Sequence, residues 1–258
     1  AMLFEKVPAD GAFMAALHGL SERYGQPLAI IDSFERAALK TGPDFETWFN
    51  DSFKRKKRKE LRRLRSRLSE AGELESVTLS PSDDLLVWID EFLALENAGW
   101  KGRAGTALAC SDHMANFLKA ALPMLRSDNE LMFWKLTLDG KPLAMLFAMH
   151  NADQAWLGKI AFNEDYARFS PGVLLILDAT KDLLSRDGLR LIDSSAVPDH
   201  PMINHIWRDR AAMNDVLIAT PGTSSATFQL IRYAELARRS ARTQAKRTYH
   251  RYFKGKAK

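Results

Sequence analysis

The sequence predicts a mixed α/β (α+β) fold in which a central, mostly antiparallel sheet is flanked by helices. Two strand-like runs in "ELMFWKLTLDGKPLAMLFAMHN" are joined by Asp139-Gly140, which is a strong hairpin signal. A third strand-like run, "QAWLGKIAFN", follows at once, and amphipathic helical patterns lie on both sides of the three. This central meander argues against a doubly wound fold, in which strands and helices alternate.

The elements before the meander are predicted in chain order. "PLAIIDSFERAAL" suggests a strand that runs into irregular structure, within a small leading segment of residues 1–50. A basic helix follows, with Asp51 or Ser52 as its cap and Gly72 as its end. "ELESVTL" then predicts a strand, "SPSDDLLVWIDEFLALENAG" a capped amphipathic helix, "WKGRAGTAL" a connection, and "SDHMANFLKAALPML" a second helix.

A helix is predicted after the meander, beginning at Ser170-Pro171-Gly172 and ending at Gly188. The Ser170 hydroxyl can cap this helix, Pro171 fits its first position, and Gly172 lets another molecule approach the backbone. Its first amides can bind an anion, above all a phosphate. The alternative is an ordinary capped helix.

The last predicted elements are a strand in "LRLIDSSAV", a short helix in "HPMINHIWRDRAA", a strand in "DVLIAT" and a basic helical tail. The element order therefore divides the chain into a leading segment (1–50), a main domain (51–222) and a basic C-terminal helix (223–258).

Charge is distributed unevenly along the 258 residues. The run "KRKKRKELRRLRSR" at 54–67 holds 10 Lys and Arg with one Glu, and residues 232–258 hold another 10 with one Glu. From the totals of 37 basic and 32 acidic residues, 17 basic and 30 acidic residues remain, a net charge of −13 on the rest of the chain. Such segregation can mark a surface for polyanions such as tRNA, or simply a solvated helix face.

Several classes of protein are disfavoured by composition. The single cysteine, Cys110, excludes a disulfide framework and predicts a reducing, cytoplasmic compartment. No apolar run is long enough to span a bilayer. The histidines lack metal-ligand spacing, so no metal is expected.

Three separated stretches resemble a known family. "LENAGWKGRAGTAL", "WLGKIAFNEDYARFSPGVLL" and "DSSAVPDHPMINHIWRDR" are similar to GNAT-type acyltransferases associated with bacterial cellulose and exopolysaccharide biosynthesis, which are related to FemAB-like aminoacyl transferases. The resemblance extends from about Phe53 to Arg210, and the predicted element order agrees with it. Family members often carry more sequence before the basic helix, so residues 1–50 are interpreted as the end of a leading lobe.

The resemblance implies a GNAT acyl-CoA N-acyltransferase fold and transfer of an acyl group, acetyl in the simplest case, from acyl-CoA to an amine, hydroxyl or saccharide acceptor. One departure concerns the donor, because Pro171 and Val173 stand where the family's pyrophosphate loop has glycine or alanine. Two alternatives remain open: an aminoacyl-tRNA donor, and a non-catalytic GNAT-fold protein that binds polyanions.

The cofactor site implied by the resemblance lies around the start of the Ser-Pro-Gly helix. Its predicted residues are Arg168, Phe169, Ser170, Gly172 and Val173.

Three residues are predicted to take part in catalysis. Lys159 lies in an otherwise apolar strand, where it can stabilise negative charge, or it is exposed on a polar face. Asp193 ends the fifth strand of the implied fold and can act as a base, orient the acceptor, or pair with an arginine. His200 can accept a proton or cap the segment before Pro201.

The acceptor site implied by the resemblance lies in "GWKGR" after the first helix of the main domain. Trp100 can stack on a sugar, and Lys101 and Arg103 can pair with an anion, although Trp100 can instead fill the core. Glu96, one helical turn earlier, can join this site or pair with Lys101.

Overall fold

The computed structural model describes residues 1–249, apart from the side chains at 246, 247 and 249. The strands are β1 (Met2–Pro8), β2 (Leu28–Lys40), β3 (Leu74–Thr78), β4 (Leu131–Leu138), β5 (Lys141–Asn151), β6 (Gln154–Phe162), β7 (Leu191–Asp193) and β8 (Asp209–Ile218). The α-helices are α1 (Ala12–Tyr24), α2 (Phe45–Ser52), α3 (Arg55–Ser69), α4 (Leu85–Ala98), α5 (Trp100–Arg103), α6 (Asp112–Ser127), α7 (Pro171–Ser185), α8 (Ile203–Ile206) and α9 (Ser225–Tyr249).

The chain forms two compact units, one of residues 36–210 and one of residues 1–35 together with the chain from 211 onward. In the larger unit the strands lie in the order β7-β6-β5-β4-β3, and the last residues of β2 pair with β7. The β6–β7 pairing is parallel, whereas β3 with β4, β4 with β5 and β5 with β6 are antiparallel. The predicted mixed, mostly antiparallel sheet with helices packed against it is confirmed.

Helices cover both faces of the sheet in the larger unit. Successive side chains of a strand point to opposite faces, so neighbouring residues of β4 pack in different cores. Met132 and Trp134 of β4 belong to a core that includes residues of α2, α3 and α7. Phe133, between them, packs with Phe92 of α4 and Leu118 of α6 in a second core. The site described below therefore lies on a sheet that is fixed from both sides.

The smaller unit has its own strands and cores. Here β8 lies between β1 and the first part of β2, and β1 and β8 are antiparallel. Met14 and Leu17 of α1 pack on one small core, and Phe228 of α9 packs on another. Because β1 and α1 lie within residues 1–50, this segment is more regular than its sequence pattern indicated. The predicted divisions at residues 50 and 222 stay predictions, and residues 250–258 of the predicted C-terminal helix lie outside the described residues.

The meander is confirmed, and so is its hairpin. Asp139 and Gly140 both have positive φ, 50° and 74°, as the two central residues of a type I′ hairpin turn require. The helix predicted in "SPSDDLLVWIDEFLALENAG" is also confirmed, because Asp84 caps α4 by accepting a hydrogen bond from the Leu86 amide.

Several predicted helix ends are wrong. Asp51 and Ser52 end α2 rather than capping the basic helix, and α3 begins after Lys54 without a side-chain cap. It ends at Ser69, before Gly72. The connection "WKGRAGTAL" contains the short helix α5. Phe53, at the break between α2 and α3, is buried in the core, and no side-chain cap marks the start of α3.

The Ser-Pro-Gly helix exists, but its predicted cap is wrong. Ser170 takes a left-handed backbone conformation (φ 54°, ψ 51°), and its side chain makes no capping hydrogen bond. Gly172 is buried, and a Cβ there would lie 3.4 Å from Phe162 Cδ1 and 3.6 Å from Ile160 Cδ1. These are ordinary van der Waals distances, so α7 packs on β6 at this point without requiring a glycine. The helix ends at Ser185, before the turn that contains Gly188.

Among residues 1–249, no helix is both long and apolar enough to cross a membrane.

Candidate active site

Two neighbouring strands of the larger unit separate at the candidate site. β6 pairs with β7 only from Gln154 to Trp156, so the rest of β6 continues without that neighbour. Just beyond this point, Gly158 and Lys159 of β6 both lie opposite the single residue Phe147 of β5. This is a β-bulge, a feature that redirects side chains and is frequent beside active sites.

Gly158 is required by the close approach of Phe147. A Cβ at position 158 would lie 2.1 Å from the Phe147 ring atom Cε2, so any side chain there would displace the ring. Because Phe147 is packed against Phe92 and Phe133, the ring has little room to move. The bulge that carries Lys159 is therefore supported by a rigid aromatic core.

Glu96 joins two lysines at this bulge. Its carboxylate is fully buried, and one oxygen, Oε1, lies 3.0 Å from Lys159 Nζ and 3.1 Å from Lys101 Nζ. The other oxygen, Oε2, accepts a 2.8 Å hydrogen bond from the Leu108 amide. We call Glu96, Lys101 and Lys159 the lysine cluster. The predicted pairing of Glu96 with Lys101 is found, and Lys159 is added to it.

Lys101 is held more firmly than Lys159. Its ammonium group also donates a 2.7 Å hydrogen bond to the Ile160 carbonyl, and its side chain is 22% exposed. The 35% exposed side chain of Lys159 has Glu96 as its ion-pair partner. The lysine cluster thus has one fixed ammonium group and one that is more accessible, with a net charge of +1 when all three groups are ionised.

The Glu96 carboxyl is held in its charged form. Burial alone would raise its pKa, but the Leu108 amide and the ammonium groups of Lys159 and Lys101 outweigh burial, and the pKa lies below the ordinary value. Glu96 therefore stays ionised at neutral pH and fixes the two lysines in place; it does not exchange protons with a substrate.

Trp100 and Arg103 lie beside the lysine cluster and are both tied to Glu164. The Trp100 amide donates to Glu164 Oε1 at 2.6 Å, and Arg103 Nη2 lies 2.5 Å from Oε2. The Trp100 ring is 54% exposed, so it does not fill the core. Gly102 lets α5 turn back on α4, since a Cβ there would lie 1.8 Å from the Asn97 carbonyl oxygen. Sequence patterns did not identify Glu164, because it lies 61 residues from Arg103.

His200 caps the backbone after Pro201, which was the alternative to a catalytic role. Its Nδ1 accepts hydrogen bonds from the amides of Met202 (3.2 Å) and Ile203 (3.4 Å). Burial lowers the pKa of His200, and the positive charge of Lys101 lowers it further. The neutral imidazole therefore carries its proton on Nε2, which is a donor and not a base in this tautomer.

Asp193 is not part of the lysine cluster; it forms a buried ion pair. Its Oδ2 lies 2.5 Å from Arg36 Nη2, and its Oδ1 accepts a 2.9 Å hydrogen bond from the Ser195 amide. Both carboxylate oxygens thus have partners. Pairing with an arginine was one of the options that the sequence left open for Asp193. Arg36 lies 157 residues away in sequence, on β2, and no local pattern identified it.

The predicted cofactor residues surround the start of α7 but offer few free amides. The Ser170 amide donates to Ala167, Pro171 has no N–H, and the amides of Val173 and Leu174 donate to the Ser170 carbonyl. Within the described chain, only the Gly172 amide of this turn has no acceptor.

The other two predicted cofactor residues pack against each other at this turn. The Arg168 guanidinium lies over the ring of Phe169, 4.7 Å from its centroid.

No group of three or more His, Cys, Asp or Glu side chains in the described part of the chain is placed to hold a metal ion.

Several solved structures share this fold. FemX is 10% identical, with a TM-score of 0.60, over 90% of this chain and 74% of FemX. The C-terminal domain of a candidate lysylphosphatidylglycerol synthetase from Agrobacterium fabrum is 14% identical, with a TM-score of 0.53, over 91% of this chain and 72% of that one. L-PGS from Bacillus licheniformis is 13% identical, with a TM-score of 0.50, over 90% of this chain and 71% of that one. At such identities the likeness concerns the fold alone.

A search of curated proteins gives no match. The family described as "Acetyltransferase (GNAT) domain" matches residues 55–199, a range that contains the lysine cluster, the bulge and the start of α7. Because this range covers more than half of the sequence, the chain belongs to the GNAT acetyltransferase domain family.

Proposed function

We propose that the chain transfers an acyl group, with acetyl as the simplest case, from acyl-CoA to an amine or hydroxyl acceptor at the lysine cluster. The observation that carries this proposal is the pair of ammonium groups held by one buried carboxylate where β6 separates from β7. Acyl transfer requires positive charge or hydrogen-bond donors where the carbonyl oxygen becomes negative. The ammonium groups of the lysine cluster are donors, and the cluster has a net positive charge.

The reaction follows from this placement. The acceptor nitrogen or oxygen attacks the carbonyl carbon of the donor and forms a new bond, while the electron pair of the C=O bond moves to oxygen. Lys159, the more accessible ammonium group, stabilises this oxyanion, and Lys101 adds its fixed charge. The intermediate then collapses, the C–S bond of the donor breaks, and CoA leaves as the thiolate. The acceptor's proton passes to water, since both oxygens of Asp193 are occupied and His200 presents an N–H.

The surroundings of Trp100 favour a saccharide acceptor. The charges of Lys101 and Arg103 are already compensated by Glu96 and Glu164, so an anionic acceptor would have to displace these partners. The exposed Trp100 ring can stack on a sugar without such a cost. A role in exopolysaccharide or cell-envelope metabolism, suggested by the sequence resemblance, remains part of the proposal.

A second candidate function is transfer from aminoacyl-tRNA, in which the ribose oxygen would be the leaving group. Two observations favour it. First, the described turn at the start of α7 has one free amide, whereas a CoA pyrophosphate needs several. Second, the exposed cations of α3 can contact RNA phosphates. A non-catalytic, polyanion-binding role is the third alternative.

The test is a transfer assay that offers radiolabelled acetyl-CoA or aminoacyl-tRNA with a panel of amines and sugars. We expect Lys159→Gln to lower kcat by roughly 100- to 1000-fold, as the loss of an oxyanion donor does. Lys141→Gln, which removes an exposed lysine from β5, is the matched control and should stay within about twofold. Full turnover by Lys159→Gln with an identified acceptor would show that the catalytic assignment is wrong. Failure of both donors would leave the non-catalytic alternative.

A further inference from the structure

A cleft of about 400 Å³ lies between the start of α3 and the α8 region of the larger unit. Its apolar lining includes Phe53, Leu61 and Ile206, which are buried, and Val173 and Met202, which are half-buried. A cavity of this size and polarity can accept the flat or apolar part of a small ligand.

All ionisable side chains that line the cleft are basic: Lys54, Lys57, His205 and Arg208. Lys57 lies 3.2 Å from Glu60, whereas Lys54 and Arg208 form no ion pair with any described residue. The cleft therefore combines an apolar floor with cations whose charge is largely uncompensated.

The start of α3 adds to this positive charge. Residues 55–58, "RKKR", form its first turn, although acidic side chains are the ones favoured at the positive end of a helix dipole. No side chain caps the first amides. Arg58 is turned away and donates to the carbonyls of Asn50 and Phe53, and Lys57 pairs with Glu60. Arg55 and Lys56 have no ion-pair partner among the described residues. A bound anion would relieve an arrangement that is unfavourable without one.

The cleft adjoins the proposed reaction site. Val173, which lines it, follows Gly172, and the Gly172 backbone packs against Ile160, the residue after Lys159. A ligand in the cleft would therefore lie beside the part of α7 that packs on β6, the strand that carries Lys159.

We infer that this cleft binds the nucleoside-phosphate part of the acyl donor, with phosphates on Lys54, Lys57 and Arg208 and the base against Val173, Met202 and Ile206. This inference rests on the proposed function. It replaces the phosphate site expected at the Ser-Pro-Gly turn, where one amide is free in the described chain. Adenosine phosphate chemistry is common to acyl-CoA and to the 3′ end of an aminoacyl-tRNA, so either donor fits the cleft.

Calorimetric titration with adenosine 3′,5′-bisphosphate, and separately with a short RNA ending in CCA, tests the inference and distinguishes the two donors. We expect Lys54→Gln/Arg208→Gln to weaken binding of the preferred probe roughly 100-fold, about tenfold for each charge-assisted hydrogen bond that the variant removes. The matched control is Lys59→Gln/Arg63→Gln, which removes two exposed cations from the same helix outside the cleft. Circular dichroism establishes that each variant is folded.

If the control variant loses as much probe affinity as the cleft variant, the inference is wrong, because the overall positive charge of the basic helix would then explain binding. Unchanged binding in the cleft variant, or binding of neither probe to the unchanged protein, would also overturn it. Lys159→Gln separates this result from the proposed function. It should lower kcat roughly 100- to 1000-fold while leaving probe affinity within about twofold, because Lys159 lies outside the cleft. If the protein transfers acyl groups but the cleft substitutions do not weaken probe binding, the proposed function stands and the inference about the cleft is wrong.

Discussion

Glu96 is the residue on which the proposed site depends. Its buried carboxylate holds two ammonium groups, and its own charge is maintained by them and by the Leu108 amide. We expect Glu96→Gln to lower the free energy of unfolding by about 2 kcal/mol, because a charge-assisted contact contributes about 1.5–3 kcal/mol. Urea denaturation measures this loss. Glu91→Gln, which removes a half-buried partner of Lys135, is the control and should cost less.

The Glu96 contribution should also depend on pH with a definite sign. The pKa of Glu96 is lower in the folded protein than in the unfolded chain, so the folded state is stabilised above the ordinary glutamate pKa of about 4.3. This stabilisation is lost as the pH falls through the folded-state pKa. The difference in unfolding free energy between wild type and Glu96→Gln should therefore be constant near pH 7 and shrink below about pH 4. A difference that grew on acidification would contradict the assignment.

His200 offers a test that separates capping from proton transfer. If its Nδ1 only accepts the Met202 and Ile203 amides, His200→Asn should keep kcat within about threefold, because asparagine is also a good capping residue. His200→Ala should lower stability by about 1 kcal/mol through loss of that cap. Steady-state kinetics and thermal unfolding measure the two effects. An equal, large loss of kcat in both variants would instead support a catalytic role for this histidine.

At the scale of elements, the bulge in β6 is maintained by a packing requirement that can be tested by rescue. We expect Gly158→Ala to lower the unfolding free energy by about 1–3 kcal/mol, because the new methyl group would overlap the Phe147 ring. Phe147→Leu removes that ring and should cancel part of the penalty in the double variant. Additive losses in a double-mutant cycle would show that the two positions are not coupled.

Helix α9 in the smaller unit is held by a central arginine. Arg239 lies 2.5 Å from Asp215 Oδ2 and 2.6 Å from Glu235 Oε1. Arg239→Met should lower the unfolding free energy by about 3 kcal/mol, because it leaves the buried Asp215 carboxylate unpaired. Arg238→Met is the matched control: this more exposed arginine contacts the same Glu235, and its loss should cost at most about 1 kcal/mol. Equal effects in guanidinium denaturation would contradict the assignment.

The elements that sequence predicted well are those whose signal is local. The Asp139-Gly140 hairpin and the Asp84 cap each depend on neighbours a few residues apart. The lysine cluster was partly predictable for the same reason, since Glu96 and Lys101 are five residues apart. Its link to Lys159 and the Arg36–Asp193 pair depend on which elements become neighbours, and the need for a glycine at position 158 depends on how Phe147 packs. Local patterns do not contain that information.

At the scale of the whole molecule, the segregation of charge leads to the last prediction. The exposed cations of α3 are in excess over nearby acids, so α3 should contribute counterion release when an RNA binds. We expect tRNA affinity to fall steeply with salt. Replacing Lys56, Lys59, Arg63 and Arg67 with Gln should reduce the slope of log K against log salt by up to about 3.6, since each of the four phosphate contacts contributes about 0.7–0.9.

The control for this prediction removes the same charge from exposed positions outside α3, with Lys6, Arg23, Lys40 and Lys141 replaced by Gln. Both variants have the same net charge, so a difference between their slopes in filter-binding titrations reports where the RNA lies. A smaller slope only in the α3 variant would locate the phosphates on this helix and favour aminoacyl-tRNA as donor. Weak binding that does not respond to salt would mean that the basic run is a solvated helix face, and acyl-CoA would then be the donor that remains.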